Sequence, residues 1–407
     1  MNLTTSGYFL CLLSFVACTL SYPLVLRLAK RYGFMDNPNE RKLQRVPIPV
    51  MGGLAVFIGI LCSLLVCNIQ VNDNVVWVGL AAMVIMLVIG AIDDATDIPA
   101  SLRFILEIAL VYWMTVDAKI GINSFHGLWD IEEIDIAYSL PLSLIAGVGI
   151  INAINLIDGV DGYASGFCIM ACAVFSVLFF YAGNKILGNV CIICVGALIP
   201  FFLHNVFGRT SKMFIGDSGT LMMGTILTIS VFAVLSSKGN CKMLESEGIG
   251  LVPLTLAILS IPVFDTLRVM GARIVRGVSP FHPDKTHLHH LFIEMGFSHI
   301  GTAVCIISLN FLIVVIWFIS WKLGASINTQ FYIVVSLSLL ITFCFYRFMK
   351  IQENSGPVDE DGFHTGNVIW RFFCKLGEKT HFEDNSFWKL LRNLMDGRFR
   401  IKGKNNE

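Results

Sequence analysis

The stretch Tyr138–Gly162, YSLPLSLIAGVGIINAINLIDGVDG, decides how the rest of the chain is read. Residues 138–156 contain no Asp, Glu, Lys or Arg, and as a helix they would nearly cross the hydrocarbon core of a bilayer. The last turns of that run admit Asn152, Asn155 and Asp158 at intervals of three, a polar stripe down one end of an apolar helix. Gly159 and Gly162 follow, and both permit a tight turn and close approach by a ligand. Hydrogen bonding between helices could use one such Asn, but it does not account for Asn152, Asn155, Asp158 and Asp161 within ten residues. The segment therefore reads as a membrane span that ends in a polar site.

Ten more apolar runs lie at about 7–29, 50–68, 75–92, 102–120, 163–182, 189–207, 219–236, 249–270, 301–320 and 331–349. Only helices and closed barrels satisfy their backbone within lipid, and continuous runs without alternation select helices. The expected fold is an all-α integral membrane protein of about eleven transmembrane helices. Composition agrees: 55% of the 407 residues are hydrophobic and 14% charged, against roughly 25% charged in soluble proteins. Formal net charge is zero, so no global charge argues for nucleic acid. The twelve cysteines fall mostly inside apolar runs, where Cys behaves as a small hydrophobe. Cys191 and Cys194 form a CxxC without a second pair, which does not make a zinc or redox site.

The first positive charges, Arg27, Lys30 and Arg31, follow the first apolar run, the order expected of a retained span whose N-terminus faces outward. With that orientation the inner loops hold Arg27, Lys30, Arg31, Arg41, Lys42, Arg45, Arg103, Arg209, Lys212, Arg268, Arg273, Arg276 and Lys285. The outer loops hold only Lys119, Lys185, Lys238, Lys242 and Lys322. Every polar motif then falls on one side, an active-site face in the cytoplasm.

Three further constellations lie on that side. Asp93-Asp94-Ala95-Thr96-Asp97 closes the third run; if the helix continued, Asp94 and Asp97 would share a face, and the carboxylates would need a cation or proton to offset their repulsion. A solvated turn is the plainer alternative. Phe214-Ile215-Gly216-Asp217-Ser218-Gly219-Thr220 opens the eighth run, where free N–H groups beside Asp217 suit a metal-bound phosphate; a simple N-cap is the alternative. The loop from Arg273 and Arg276 through His282-Pro283-Asp284-Lys285-Thr286-His287-Leu288-His289-His290 lacks the Cys partners of a zinc finger, and its imidazoles and cations suit a diphosphate. Oxygen donors from Asp and Asn favour Mg²⁺, or Mn²⁺, over zinc. Together these features describe phosphoryl transfer from a charged soluble donor to a lipid acceptor. A secondary transporter is the rival, but transporter sites lie near the bilayer midplane, whereas these charges sit at span ends.

The motifs GFMDNPNERKLQRVPIPVMGG (33–53), DDATD, NAINLIDGVDGYASG, FIGDSGT and SPFHPDKTHLHHLF occur in this order and resemble the polyprenyl-phosphate N-acetylhexosamine-1-phosphate transferases over roughly residues 10–350. The resemblance is closest to the bacterial branch that loads N-acetylglucosamine-1-phosphate onto undecaprenyl phosphate. It implies eleven spans in the bacterial inner membrane and Mg²⁺-dependent transfer from a UDP-N-acetylhexosamine with release of UMP. It would place Asp93 and Asp94 at the acceptor phosphate, and Asp217 with Asn155 on Mg²⁺. Asp158 and Asp161 would support the metal and nucleotide site. His287, His289, His290 and Arg273 would bind the diphosphate, with Asn152 and Arg276 as further substrate contacts. The downstream polymer implied is O-antigen or another envelope polysaccharide. A homodimer is compatible with the sequence, which does not fix the oligomeric state. Residues 351–407 match no part of the family and are expected to form a cytoplasmic tail. Its Gly356–Gly362 segment reads as a linker. Phe387–Met395 reads either as an amphipathic helix on the anionic leaflet or as a solvated tail, followed by Arg398, Arg400, Lys402 and Lys404.

Overall fold

The computed structural model describes residues 6–38, 46–67, 74–117, 119–280, 284–356, 366–382 and 385–397. The helices in chain order are α1 (Gly7–Tyr32), α2 (Gly52–Val66), α3 (Asn74–Thr96), α4 (Ala100–Val116), α5 (Ile136–Leu156), α6 (Tyr163–Tyr181), α7 (Lys185–Phe207) and α8 (Gly216–Val234). They continue with α9 (Leu251–Ile258), α10 (Ser260–Val275), α11 (Leu288–Glu294), α12 (His299–Lys322), α13 (Ile327–Leu339), α14 (Tyr346–Asn354), α15 (Val368–Glu378) and α16 (Ser386–Met395). Two small antiparallel ribbons complete the fold. β1 (Met35–Asp36) pairs with β2 (Ile48–Pro49) at one end of the bundle, with Met35 opposite Pro49; β3 (Ser124–Leu128) pairs with β4 (Ile131–Glu133) at the other.

Eight helices among the described residues are long and apolar enough to cross a membrane, one of them the continuous Ile327–Asn354 in which a π-helical segment, Leu340–Phe345, joins α13 to α14, and α9 with α10, bent by 74°, supply a ninth span. The expected eleven is therefore not reached by length and composition. Runs 50–68 and 102–120 do fold as helices, but α2 has 15 residues and α4 has 17, with Arg103 and Glu107 in its first half. All the same, the chain is a multi-pass α-helical membrane protein.

α8 is the centre. Its face is built from Gly219, Thr220, Gly224, Thr225, Thr228 and Ser230, small enough for neighbouring backbones to approach. The buried hydroxyls cost little, because Thr225, Thr228 and Ser230 each donate to the carbonyl one turn back, at 2.8 to 2.9 Å. α3 packs closest at Gly90, where an added Cβ would lie 2.4 Å from the Ser218 nitrogen, so only glycine fits there.

The bend between α9 and α10 has a specific cause. Pro262, in the first turn of α10, has no N–H to continue the ladder. Asn310 of α12 takes both sides of the break: its Oδ1 accepts from the Ile261 N–H and the Ser260 hydroxyl at 2.9 Å, and its Nδ2 donates to the carbonyls of Ala257 and Ile258. A broken span in lipid needs such a partner. Asn310→Leu should therefore lower the melting temperature of the detergent-purified protein, at a cost of about 1–3 kcal/mol for each buried group left unpaired. An unchanged melt would remove Asn310 as the support of the break.

Candidate active site

The end of α3 delivers two differently bound carboxylates. Asp93 is buried and accepts from the Ile98 N–H at 2.8 Å and from Arg103 Nη1 at 2.9 Å. Asp94 reaches across to the start of α8, where its oxygens accept the N–H groups of Asp217 at 2.8 Å and Ser218 at 3.1 Å. A carboxylate at a helix N-terminus satisfies donors that have no partner within the helix and is favoured by the helix dipole. α3 ends at Thr96 and Asp97 has φ +53°, so the helical register that would align Asp94 with Asp97 does not persist. Asp97 lies at the cavity rim instead.

The N-cap alternative for Asp217 also fails, because Asp94 performs that role and Asp217 faces the other way. Its Oδ1 accepts from Asn155 Nδ2, which donates as well to Thr220 Oγ1 at 2.9 Å, while its Oδ2 lies 3.6 Å from Arg103. Asn152, one turn back on α5, turns from the site: its amide donates to Glu107 and to the Val148 carbonyl. The polar stripe of α5 thus divides, Asn152 bracing α4 and Asn155 bracing α8.

In the turn after α5, Asp161 is paired with Lys212 at 2.5 Å and with His299 at 3.0 Å. Burial alone would raise its pKa, but the His299 hydrogen bond and the Lys212 charge outweigh burial and hold it below the usual range. Asp158 has the opposite setting. Its side chain opens to the cavity, and among the described residues no donor or cation meets it. Enclosure by protein, then the charges of Asp217, Asp161, Asp94 and Asp36, push its pKa well above normal.

These groups line one cavity of about 880 Å³. Asp36, Asp93, Asp94, Asp97, Asp158, Asp161 and Asp217 face Lys212, His290 and His299 across it. Among the described residues no three His, Cys, Asp or Glu are close enough to form a ready metal cage.

Of the described residues of the histidine loop, one lines this cavity. His290 does so as a neutral imidazole, its pKa pushed down to about 4 by burial and then by His287 and Lys285. His289 packs beneath Gly159, whose Cβ would meet its Nε2 at 2.5 Å; burial, then the charges of His290 and His287, push its pKa well below normal. His287 is anchored by Nδ1 to Asp265 at 2.9 Å, and Asp265 also holds Arg268 at 2.6 Å. Arg273 and Arg276 are turned away from the cavity. Both bind Asp284, Arg273 through two bonds of 3.0 and 3.1 Å, and Arg273 is itself buried. Asp284 also accepts from Thr286 and staples the loop closed. His282 and Pro283 lie outside the described residues.

Several site residues escaped the sequence reading. Arg103 ties Asp93, Glu107 and Asp217 together, yet counted there only as a positive loop charge. Its spacing of four from Glu107 at the start of an apolar helix was the available signal. Asp265, an isolated acid inside the run 249–270, was another. Nothing local marked Lys212 or His299.

A helical membrane bundle with a carboxylate-lined cavity at one end is the setting of a transferase acting at the membrane surface. Residues 76–236 match glycosyl transferase family 4. A protein of Escherichia coli (strain K12) named undecaprenyl-phosphate alpha-N-acetylglucosaminyl 1-phosphate transferase is 30% identical over 290 residues, 70% of this chain and 76% of the relative. A Bacillus subtilis (strain 168) protein, "Probable undecaprenyl-phosphate N-acetylglucosaminyl 1-phosphate transferase", is 28% identical over 351 residues, 86% of this chain and 92% of the relative. A Yersinia pestis relative with the same name as the Escherichia coli protein is 29% identical over 276 residues, 67% of this chain and 73% of the relative. The chain belongs to this family of membrane transferases, as its motifs led one to expect.

Asp158 offers a direct test of the site. Neutralising it removes a carboxylate repelled by four others, so Asp158→Asn should melt at a higher temperature than wild type in the presence of a chelator, while losing most turnover. A lower melting temperature would show that Asp158 has a stabilising partner.

Proposed function

We propose that this protein transfers N-acetylglucosamine-1-phosphate from UDP-N-acetylglucosamine to undecaprenyl phosphate, releasing UMP, at the start of O-antigen or a related envelope polysaccharide. The names of the relatives support the donor sugar and the lipid acceptor. The observation that carries the reading is the cavity itself: acidic side chains converge on it, one of them met by no cation among the described residues, at a helix end where a lipid phosphate and a soluble nucleotide can meet. The excess of Lys and Arg at this end supports a cytoplasmic placement in the bacterial inner membrane.

In the reaction a phosphate oxygen of the acceptor forms a bond to the sugar-bearing phosphorus of the donor. The diphosphate bridge bond breaks, and UMP leaves with its electron pair. The second pKa of a phosphate monoester is near 6, so the acceptor is largely dianionic at neutral pH and needs no base. Asp93 and Asp94 are both engaged by fixed donors, which supports a positioning role for them over a nucleophilic one. Asp217 is held by Asn155 and Arg103, and Asp161 by Lys212 and His299, so each keeps its orientation when substrate arrives. Among the described residues, Lys212, His290 and His299 are the groups on the cavity wall able to meet the diphosphate. Phosphoryl transfer depends chiefly on such positioning and charge stabilisation.

The donor set fits Mg²⁺. It consists of oxygens and, among the described residues, it contains a carboxylate that no cation meets and falls short of a full protein cage, as suits an ion that keeps waters and takes ligands from substrate phosphates. Asp217 and Asp158, with Asn155, would hold it. Bound there, it would neutralise charge developing on the diphosphate.

Detergent-purified protein given UDP-N-acetylglucosamine and undecaprenyl phosphate should release UMP only with both substrates and Mg²⁺ present. Asp217→Ala should abolish release while remaining folded. Release with a different UDP-N-acetylhexosamine alone would change the sugar and keep the reaction. No release with any donor would overturn the transferase reading.

A further inference from the structure

The tail helix α16 lies against the end of α7, where Trp388 packs on Phe207 with ring centroids 4.6 Å apart. No residue of α16 is buried, and Phe387, Leu390 and Leu394 remain exposed, so this attachment adds little to the hydrophobic core. The residue that closes α16 makes the other contact. Asp396 Oδ1 accepts the N–H groups of Arg209, Thr210 and Ser211 at 3.0, 3.0 and 3.1 Å, and the Ser211 hydroxyl at 3.1 Å.

These three residues lead directly into Lys212. The other edge of the same turn is held by α1: Tyr22 donates its hydroxyl to the Ser211 carbonyl at 2.7 Å, and Lys30 donates to the Thr210 carbonyl at 3.0 Å. The turn is therefore clamped, carbonyls by the first span and amides by the tail. Lys212 leaves it toward the cavity and meets Asp161 at 2.5 Å. A surface turn could leave its amides to water; successive amides gathered on one carboxylate oxygen fix its direction instead.

We propose that Asp396 is a positioning residue of the transferase site, and that the tail straps the α7–α8 loop so that Lys212 is held on Asp161. The tail thereby becomes part of the catalytic apparatus although none of its described residues lines the cavity. The inference rests on the transferase reading above and concerns residues outside the transferase motifs.

The test uses full-length protein in the UMP-release assay, where wild-type turnover establishes the reaction independently of the variants. Asp396→Ala should lower turnover roughly tenfold, the scale of a small displacement of a catalytic loop. Asp396→Asn keeps an acceptor oxygen and should stay within about twofold of wild type. In a Lys212→Met background, Asp396→Ala should cause no additional loss, because the two act in series. A readout free of catalysis accompanies these: acetylation of Lys212 by acetic anhydride, followed by mass spectrometry, should rise in Asp396→Ala and not in Asp396→Asn. Should Asp396→Ala fail to fold, Trp388→Ala, which loosens the same helix, carries both measurements. Wild-type turnover in the loosened variant, losses that multiply in the double variant, or unchanged Lys212 labelling would each overturn the proposal.

Discussion

The contact between the Asp94 carboxylate and the first amides of α8 orders most of what surrounds it. The start of that helix lies at the floor of the cavity, where its free N–H groups must find acceptors. Asp94 reaches two of them, but only because Gly90 lets α3 lie against the backbone of α8 and Gly216, at φ +74°, leaves room for the carboxylate; a Cβ there would stand 2.5 Å from an Asp94 oxygen. With that turn set, Asp217 projects toward Asn155 and Arg103, and Thr220 offers its hydroxyl to the same Asn155 amide. The end of α5 is thereby fixed on α8, and the turn carrying Asp158 and Asp161 leaves it in one direction. A helix cap thus becomes the reference point for acidic groups drawn from three spans.

Charge balance explains why the acids are not equivalent. One guanidinium serves Asp93, Glu107 and Asp217, a task suited to the fixed fork of Arg and poorly met by a Lys ammonium. Lys212 and His299 serve Asp161. Among the described residues no cation meets Asp158, and burial and the neighbouring acids raise its pKa. Folding toward stability alone would have supplied a cation or removed the acid, and this imbalance supports reading Asp158 as a group kept for a ligand. The same reasoning distinguishes the arginines of the histidine loop. Asp284 already neutralises Arg273 and Arg276, and their energy goes into closing that loop.

Much of this was legible in the chain. Apolar runs interrupted by acids and amides at span ends predicted a helical membrane protein, and the residues at those ends, Asp93, Asp94, Asn155, Asp158, Asp161, Asp217 and His290, do gather around one cavity. Residues whose partners lie far along the chain were less legible. Asn152 has the same spacing as Asn155, and only the packing of α4 shows that it faces Glu107. Arg273 and Arg276 resemble phosphate ligands in sequence, because nothing there reveals that Asp284 folds back on them. Lys212 and His299 lie 51 and 138 residues from Asp161, beyond any local pattern. Length and composition confirm nine of the eleven expected spans among the described residues, because runs 50–68 and 102–120 fold as helices of only 15 and 17 residues, the second carrying Arg103 and Glu107.

The break between α9 and α10 is what brings the histidines to the acids. A straight helix through 251–275 would carry its last turns along one axis; the 74° bend redirects α10. Asp265, fully enclosed on α10, then receives the His287 imidazole, the Leu288 N–H and Arg268 at one point. Arg268 is further fixed over the Tyr346 ring at 3.7 Å and donates to the Thr286 carbonyl, so the start of α11 is held from both sides. From that anchor the helix runs His289 under Gly159 and His290 into the cavity, three residues with three different neighbours. Gly159 is needed for the middle one, since any side chain there would displace the His289 ring. Asn310, far from the cavity, therefore acts on it through a chain of fixed parts: it holds the bend, the bend aims Asp265, and Asp265 fixes the start of the helix that carries His290 to the cavity.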